Sequence, residues 1–535
     1  MSGLTREAIN VWKTSPNAEE TIQSLKTVNS YLGQKFAFPE LNENIRKDVC
    51  DFFVAVFSDA PSSYQCALLE LVRILCRDKN GINSLFSEEL VELVLKAAGI
   101  FPKSRPTDHN VLMEAVKCLV NALFNSVVAR TGFENKCCQL MVQRDEEIVK
   151  NLQNGSNYSE FFNYLNGIPK DELELLLFFD LRICFVASAH SIELQKKWVE
   201  DSENTQKFLN ILKFSIFEFP ITENKKQEWA TESLKILFNL YCHAQIYDMD
   251  VAESCAKECS KIVQNPTVDD DLKQNAIHLL ATMPSCLPLL CPEVKNNEIQ
   301  TTKIYENCDM RFVDSTLELL SRKIDKTGPS EVDLLSTFFT TLIHLCKNHK
   351  PSRRYCRLKV IPPLKAQHVE KPPDEGRTLR NKIVRLLTSP THCKDLAAEF
   401  LFVLCKRNVN RLIKYTGFGH SAGLLANYGF LGAINNPRRD SDSEDSETES
   451  YKQVENRVNP VTGYIQPEID NPLDHMTEEQ KEYEAMQLAN AMDKLMESGV
   501  FQPASIGPDG KPKAVSHVNE LIKNIPSEDE NSDSD

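Results

Sequence analysis

A Gly-x-Ser-x-Gly pattern from Gly419 to Gly423 is the stretch of this 535-residue sequence that most resembles a catalytic motif. In α/β-hydrolases the serine of this pattern is the nucleophile, held on a sharp turn between a strand and a helix. The residues before Gly419 have helical periodicity instead, and no alternation of strands and helices surrounds them. The pattern therefore predicts a glycine-broken turn between two helices, and a nucleophilic Ser421 is the minor alternative.

A metal site is the second kind of chemistry to consider. His344, Cys346 and His349 lie close together in the sequence, but on a helix His344 and Cys346 point to different faces. The sequence contains no Cys-x-x-Cys pair and no G-x-x-x-x-G-K-[ST] phosphate-binding loop. We expect no metal, no cofactor and no covalent catalysis.

Charge and composition divide the chain near residue 436. Residues 436–535 contain 9 Lys and Arg against 23 Asp and Glu, which is −14 of the net charge of −15. All 17 cysteines and all 3 tryptophans precede this acidic part. The acidic balance argues against nucleic-acid binding. The charged start, MSGLTREAINVWK, does not predict a signal peptide. We expect a cytoplasmic protein with reduced thiols and no integral membrane segment.

The first part of the chain repeats one helical pattern. Apolar residues recur at i, i+3, i+4 and i+7 in six similar runs: LVRILCR (71–77), AVKCLVNALFN (115–125), SLKILFNLYCH (233–243), NAIHLLATM (275–283), TLIHLCKNH (341–349) and EFLFVLCKRN (399–408). Their spacing favours an all-α armadillo/HEAT-like superhelix over an irregular all-α domain. We expect this superhelix in 1–430, an acidic linker in 431–475, one helix in 476–498 and an acidic tail in 499–535. Long loops are expected at Lys150–Lys170 and, because of its prolines, at Lys347–Glu375.

Polar and basic side chains recur at similar places in these runs. Arg73 and Arg77 are four residues apart and therefore share a helix face. Asn121, Lys235 and Asn239 occupy similar positions in later runs. The five side chains could line the concave face of the superhelix as a binding groove, or form an ordinary solvated face, and their spacing does not decide between the two.

A basic run and an acidic run complement each other. The basic run contains Lys347, Lys350, Arg353, Arg354 and Arg357. In the acidic run, Ser441 and Ser446 each have a glutamate three positions later, which suits a kinase of the casein kinase two type. We expect the phosphorylated serines to dock on the basic run. Nucleic-acid binding by the basic run and an unmodified acidic linker are the alternatives.

The helix predicted near the C-terminus stands alone. Thr477 and Gln480 have the spacing of a capping box. A narrow apolar stripe follows, with Ala485, Leu488, Met492 and Leu495 on it and Met486 beside it. Such a stripe is too narrow for a protein core but suits a partner groove.

Several blocks in the same order resemble the synembryn family of cytosolic chaperones and exchange factors for heterotrimeric G-protein α subunits. The blocks are LRNKIVRLLTSP (379–390), EFLFVLCKRNVNRLIKYTGFGHSAGLLA (399–426), NPVTG (459–463) and MTEEQKEYEAMQLAN (476–490). The resemblance extends from about Leu71 to Leu495.

The resemblance implies a partner and a role for each set of residues. The concave groove would take the C-terminal helix of Gα, with Arg73, Arg77 and Asn121 holding its terminal carboxylate and Lys235 and Asn239 farther along. Met486, Leu488, Met492 and Leu495 would contact the Gα switch region, and Ser441 and Ser446 would be the phosphorylated positions. The protein would be a monomer that binds GDP-bound or nascent Gα, promotes GDP release and is recruited to the cell cortex or the inner face of the plasma membrane. An armadillo-type scaffold or transport adaptor without exchange activity is the alternative function.

Overall fold

The chain divides into two compact units, Met1–Leu290 and Cys291–Asp535. The computed structural model describes residues 3–15, 17–106, 108–217, 224–294, 303–431, 448–467, 476–498, 504–506 and 511–514. Helices predominate among them. The strands in these ranges form two antiparallel hairpins, β1 (Ile304–Tyr305) with β2 (Cys308–Asp309) and β3 (Ala504–Ile506) with β4 (Pro512–Ala514).

The first unit consists of helices joined by short turns. They are α1 (Arg6–Thr14), α2 (Ala18–Leu32), α3 (Glu43–Val56), α4 (Ser62–Leu75), α5 (Glu88–Ala97), α6 (His109–Asn125), α7 (Val127–Lys136), α8 (Cys138–Asn154), α9 (Lys170–His190), α10 (Ile192–Glu200), α11 (Ser202–Phe217), α12 (Asn224–Cys242), α13 (Met249–Gln264) and α14 (Asp270–Ala281). The predicted long loop corresponds to the segment between α8 and α9, which contains a single 3-10 turn, Asn163–Leu165.

Two parallel series of helices build this unit. In one series, α2, α4, α6, α9, α12 and α14 each pack against the next, and we call it the inner ladder. In the other, α1, α3, α5, α7, α8, α11 and α13 do the same. Cross-contacts such as α8 with α9 and α11 with α12 join the two series. Stacked helix pairs of this kind bury a continuous core that no single pair could bury alone. The predicted all-α, armadillo/HEAT-like fold is confirmed.

The second unit begins with the β1–β2 hairpin and continues as shorter helices. They are α15 (Arg311–Lys326), α16 (Ser336–Asn348), α17 (Lys350–Val360), α18 (Leu379–Leu386), α19 (Cys393–Leu404), α20 (Val409–Thr416), α21 (Phe418–Asn427), α22 (Glu449–Lys452) and α23 (Glu478–Glu497). Most cysteines of the helices are buried, among them Cys76, Cys118, Cys184, Cys346 and Cys405, whereas Cys242 in α12 is exposed.

Two sequence-based predictions about this unit were wrong in detail. The prolines between Lys347 and Glu375 were expected to prevent a helix, yet α17 occupies the start of that segment. Pro351 lies in the first turn, where a helix needs no N–H donor, and the side chain of His349 caps the same end. One helix was expected before the glycine-broken turn, but that stretch forms two, α19 and α20, with Lys406 and Arg407 in left-handed backbone conformations between them.

A buried ion pair links α8 to α9 in the first unit. Arg144 donates two hydrogen bonds to Asp180, with Nε–Oδ2 at 2.8 Å and Nη2–Oδ1 at 2.7 Å, and neither side chain is exposed. The neighbouring Asp145 is also fully buried. Burial, together with the negative charge of Asp180, raises the pKa of Asp145 well above its usual value. Asp145 therefore keeps its proton in the folded protein at a pH where the unfolded chain has lost it.

Replacing Asp145 by Asn is expected to stabilise the protein at neutral pH. Because the folded-state pKa of Asp145 lies above the unfolded value, its contribution to the free energy of unfolding is greatest below about pH 4. That contribution is lost as the pH rises through the folded pKa. Asp145→Asn removes this loss, so its melting temperature at pH 7 should exceed that of the wild type by about 2–4 °C, the shift expected for roughly 1 kcal/mol.

The comparison is made by thermal unfolding at pH 4.5 and pH 7. The difference between Asp145→Asn and wild type should be smaller at the lower pH. The exposed Glu200, at the end of α10, provides a control, because Glu200→Gln removes one carboxylate without touching a buried group. A wild-type protein that is more stable than Asp145→Asn at pH 7 would contradict the assignment.

Candidate functional site

Arg73 and Arg77 lie in the last turn of α4 and just beyond it, and both are held by neighbouring groups. The guanidinium of Arg73 makes a close ion pair with Glu114 on α6, and its Nη2 lies 3.4 Å from Oε1 of Glu70. Arg77 donates to the carbonyl of Gly33 at 2.8 Å. We expected both side chains to face solvent, and this holds only in part, because Arg73 is 22% exposed and Arg77 is half-buried.

An exposed aromatic ring lies beside these arginines. The guanidinium of Arg77 is 5.4 Å from the ring centre of Phe36, and Phe36 is 76% exposed. A cation with an exposed ring next to it can bind a carboxylate and an apolar side chain of the same ligand. Phe36 has no signal in the sequence, because it lies in a loop outside the repeated runs.

Asn121 is hydrogen-bonded to the backbone of Arg73. Its side-chain amide, on α6, donates to the main-chain carbonyl of Arg73 at 3.1 Å. The neighbouring turn has the same kind of bond, from Asn125 to the carbonyl of Cys76 at 2.8 Å. These amides satisfy carbonyls at the C-terminal end of α4, which have no partners within the helix itself. Asn121 and Glu114 therefore fix both the backbone and the side chain of Arg73.

Lys235 and Asn239 form a second cluster, between α9 and α12 of the inner ladder. Asn239 donates to Oγ of Ser188 at 3.0 Å and to the carbonyl of Phe185 at 3.4 Å. Lys235 pairs with Glu232 at 3.1 Å, and its ammonium lies 5.3 Å from the ring centre of Phe185. The structure thus brings Arg73, Arg77 and Asn121 together at α4–α6, and Lys235 with Asn239 at α9–α12.

Three further residues belong to these clusters but were not predicted. Glu114 holds Arg73, and Glu232 accepts from Arg182 on α9 at 2.8 Å as well as from Lys235. A sequence signal was present, since EAVKCLVN (114–121) and ESLKILFN (232–239) have Glu, Lys and Asn at identical spacing. Arg182 had no such signal, because α9 carries no copy of that pattern.

The basic run lies on α16, α17 and the turn between them. Lys347 pairs with Glu399 at 2.6 Å and Arg354 with Glu306 at 2.8 Å. Arg357 is buried and Lys350 is exposed, while Arg353 lies between these extremes. The run is therefore a mixture of paired and exposed cations and not a uniform basic patch. The predicted phosphorylation sites, Ser441 and Ser446, lie outside the described residues.

Residues 448–467, which we call the strap, pack against the other elements of the second unit. Tyr451 is buried, with the ammonium of Lys414 4.5 Å from its ring centre. The hydroxyl of Thr448 donates to the carbonyl of Leu364. At the other end of the strap, the amide of Ile465 donates to the carbonyl of Val369 at 2.7 Å. The strap therefore has fixed points along most of its length.

The strap packs against the glycine-rich turn that was predicted as a break between two helices. Gly417 has φ of 75°, and a Cβ atom there would lie 2.8 Å from the carbonyl carbon of Thr462. The first amides of α21, from Phe418 and Gly419, donate to the carbonyls of Pro460 and Val461, both at 2.9 Å. Only a glycine allows this approach.

The nucleophile alternative does not fit this geometry. Ser421 lies inside α21 and is buried, and its hydroxyl donates to the carbonyl of Gly417 at 3.1 Å. A nucleophilic serine would need to be exposed on a turn between a strand and a helix. The break itself occurs at Gly417, whereas Gly419 was expected to contribute to it and is helical.

Helix α23 begins with the predicted capping box. The Thr477 hydroxyl accepts from the amide of Gln480 at 3.3 Å, and the Gln480 side chain accepts from the amide of Thr477 at 3.0 Å. Of its predicted contact residues, Met486, Leu488 and Leu495 are exposed by 65%, 63% and 46%, and Met492 is half-buried. A helix that exposes three large apolar side chains is suited to a partner groove.

The described ranges include no single helix that could span a membrane and no cluster of side chains that could hold a metal ion. No single helix there is long and apolar enough to span a membrane, although two pairs of helices bent by 116° and 114° reach that length and composition together. Nor do the described residues contain a group of three or more His, Cys, Asp or Glu side chains that could hold a metal ion.

Comparison with known proteins gives a consistent result. A family model described as guanine nucleotide exchange factor synembryn matches residues 68–511. Chaperone ric-8 of Caenorhabditis elegans is 39% identical over 88% of this chain and 88% of its own length. Chaperone Ric-8A of Danio rerio is 31% identical over 97% of this chain and 96% of its own length. Among solved structures, a chain from a study of cadherin and β-catenin has 10% identity and a TM-score of 0.44, covering 87% of this chain and 77% of its own.

Proposed function

Because the chain belongs to the synembryn family, we propose that it is a chaperone and guanine nucleotide exchange factor for heterotrimeric G-protein α subunits. In this proposal it binds nascent or GDP-bound Gα, promotes GDP release and stabilises the nucleotide-free subunit until GTP binds. The observation that supports this most directly is the arginine cluster at the end of α4, which has the chemistry needed to hold a peptide carboxylate.

The first step of the proposed mechanism is capture of the C-terminal helix of Gα. Arg73 is already oriented by Glu114 and Asn121, so little side-chain entropy is lost when a carboxylate binds. The weaker neighbour of Arg73 is Glu70, at 3.4 Å and 39% exposed. An incoming carboxylate would displace Glu70 while Glu114 keeps the guanidinium in place, and Arg77 with Phe36 would complete the contact.

Capture would then lower the affinity of Gα for GDP. The C-terminal helix packs behind the nucleotide site in the folded subunit, so withdrawing it loosens that site. The proposed exchange factor needs no covalent step, because it binds the nucleotide-free state more tightly than the GDP-bound state. GTP binding must favour the conformation of Gα that the chain binds poorly, and Gα is then released from the complex.

Helix α23 would provide a second contact, on the switch region of Gα. Its exposed Met486, Leu488 and Leu495, with Met492 beside them, could cover apolar surface that Gα exposes when it is open. The strap fixes the chain as far as Ile465, twelve positions before Thr477. A span of twelve residues reaches at most about 43 Å, so α23 would act on a subunit bound to the same molecule.

Retention of purified Gα on the immobilised chain tests this function. Gα loaded with GDP is expected to be retained, and a non-hydrolysable GTP analogue is expected to release it. Equal retention of both forms would favour the scaffold or adaptor alternative, which requires no dependence on the nucleotide.

Phosphorylation of Ser441 and Ser446 is expected to raise the exchange rate. The strap begins two residues after Ser446, and Thr448 is bonded to Leu364, four residues beyond the end of α17. A phosphate at Ser446 would therefore lie within reach of the basic run on α17. Each phosphate brings about −1.5 to −2 charges and suits the guanidinium groups there. Docking would order the linker and keep α23 near bound Gα.

The measurement is the GDP-release rate before and after treatment with a kinase of the casein kinase two type. The double variant Ser441→Ala with Ser446→Ala should not respond to the kinase. The double variant Arg353→Glu with Arg354→Glu should show only a weak acceleration of GDP release even when phosphorylated. In the wild type, the acceleration caused by phosphorylation should shrink at high salt. Fully phosphorylated protein that is no faster than untreated protein would refute the mechanism.

A further inference from the structure

A three-residue pattern occurs twice on the inner ladder. Glu114, Lys117 and Asn121 on α6 have the same spacing as Glu232, Lys235 and Asn239 on α12. Each glutamate accepts from an arginine on the preceding ladder helix, which is Arg73 on α4 or Arg182 on α9. In both copies the lysine three positions later lies near the same glutamate, at 3.6 Å and 3.1 Å.

The asparagines of the two copies both donate to a main-chain carbonyl of the preceding ladder helix. Asn121 donates to the carbonyl of Arg73 on α4, and Asn239 donates to the carbonyl of Phe185 on α9. The agreement therefore includes sequence spacing, ion pairing and hydrogen bonding to the preceding helix. The two copies are two versions of one local structure.

In the second copy, a buried acid lies between two cations. The side chain of Glu232 is 4% exposed, and its Oε1 accepts from Nη1 of Arg182 at 2.8 Å and from Nζ of Lys235 at 3.1 Å. Its Oε2 is buried and has no hydrogen-bond partner among the described residues. The ring of Phe185 lies 5.4 Å from the guanidinium of Arg182 and 5.3 Å from the ammonium of Lys235.

The charges of this cluster are not balanced. Arg182 and Lys235 together carry two positive charges against the single negative charge of Glu232. Both cations remain partly accessible, with 39% and 33% of their side chains exposed. A surface of this kind attracts an anion, and Arg182 can donate two parallel hydrogen bonds to a carboxylate.

We propose that Arg182 and Lys235, beside the ring of Phe185, form a second anion-binding subsite, which binds an acidic side chain of the same partner helix whose terminal carboxylate binds at Arg73. This inference rests on the proposed function, because it assumes that the partner is the C-terminal helix of Gα. It adds a sequence requirement to that function. The partner must carry an Asp or Glu at a defined distance before its C-terminus.

The distance follows from the order of the ladder. The first copy lies between α4 and α6, the second between α9 and α12, and α6 packs directly on α9. Packed helices are about 8–10 Å apart, so two helix spacings separate the copies by about 16–20 Å. A partner helix that crosses the ladder rises about 1.5 Å per residue. The acidic side chain is therefore expected about 11–13 residues before the terminal carboxylate.

A set of synthetic peptides tests the subsite with the full-length chain. Each peptide has the sequence of a Gα C-terminus of about 18 residues, with a free terminal carboxylate and its acidic side chains replaced by amides. A single Asp is then placed at each position from about 9 to about 15 residues before the end. Affinity should be highest, by about 5- to 10-fold, with Asp at about 11–13.

Variants of the chain assign the effect to named residues. Arg182→Gln should abolish the position dependence of the affinity. Arg182→Glu should restore the preference when Lys replaces Asp in the best peptide, a result that loss of structure cannot produce. Lys257→Gln is the matched control, since Lys257 also pairs with a glutamate, at 3.5 Å, but lies on α13 in the other series of helices.

The outcomes separate the subsite from the function on which it rests. A flat affinity across Asp positions, with the neutral parent peptide still binding through Arg73, would overturn the subsite and leave the proposed function standing. An Arg182→Gln variant with the position dependence of Lys257→Gln would also overturn it. Failure of every peptide to bind would overturn both.

Discussion

Replacing Arg73 and Arg77 together by Gln is expected to weaken binding of a Gα C-terminal peptide by roughly 2–5 kcal/mol, the usual cost of removing one partner from a buried charge pair. Arg73 has its guanidinium held by Glu114 and its carbonyl held by Asn121, so its side chain stays in place when a carboxylate displaces Glu70. Arg77 adds a second cation beside the exposed ring of Phe36. Titration of the peptide against wild type and variant measures the loss.

The controls distinguish a lost contact from a lost fold. Glutamine keeps part of the stem that packs in this region, but it is too short to guarantee the bond that Arg77 donates to the carbonyl of Gly33. Thermal unfolding should therefore accompany the titration. Arg6→Gln is a matched surface variant, because Arg6 pairs with Asp48 at 2.7 Å on α1 and α3, away from the inner ladder. Unchanged peptide affinity in a folded double variant would remove both Arg73 and Arg77 from the site.

Removing the chain after Pro467 is expected to reduce GDP release from intact Gα at least tenfold while leaving peptide affinity unchanged. The cut deletes α23 but keeps the strap, whose last described amide bond to the body is at Ile465. Burying a single leucine contributes about 1.5–3 kcal/mol, and α23 offers Leu488, Leu495 and Met486. A cut near residue 452 would be less informative, because it would also remove the bonds that Pro460 and Val461 make to α21.

A point variant makes the same test without truncation. Leu488→Asp with Leu495→Asp should reproduce the loss of exchange, whereas Gln487→Asp with Asn490→Asp adds equal charge at exposed polar positions of α23 and should have little effect. Exchange as fast as wild type in both the truncated chain and the leucine variant would leave α23 without the proposed role.

The sequence predicted those parts of the fold and site that depend on local patterns. Helical periodicity and the spacing of similar runs predicted stacked helices, and the Thr477–Gln480 spacing predicted the capping box, because each is decided within a few residues. Pro351 was misread, since a proline prevents a helix only beyond the first turn. A glycine break between two helices was predicted, although its cause at Gly417, the approach of Thr462, was not visible.

The partners of the site residues could not be predicted, because they lie far away in the sequence. Glu114 is 41 positions from Arg73, and Glu232 is 50 positions from Arg182. Periodicity shows that two residues face the same way, but not which helix packs beside them. Only the repeated Glu, Lys and Asn spacing carried that information, and it becomes interpretable once α6 and α12 are seen against α4 and α9.

The rate of GDP release from purified Gα tests the central claim most directly. With the full-length chain present, GDP should dissociate faster from intact Gα, and the acceleration should disappear when Gα lacks its C-terminal helix, because the arginine cluster then has no ligand. Equal acceleration of both forms, or none with intact Gα, would contradict the proposal that this chain promotes exchange by capturing that helix.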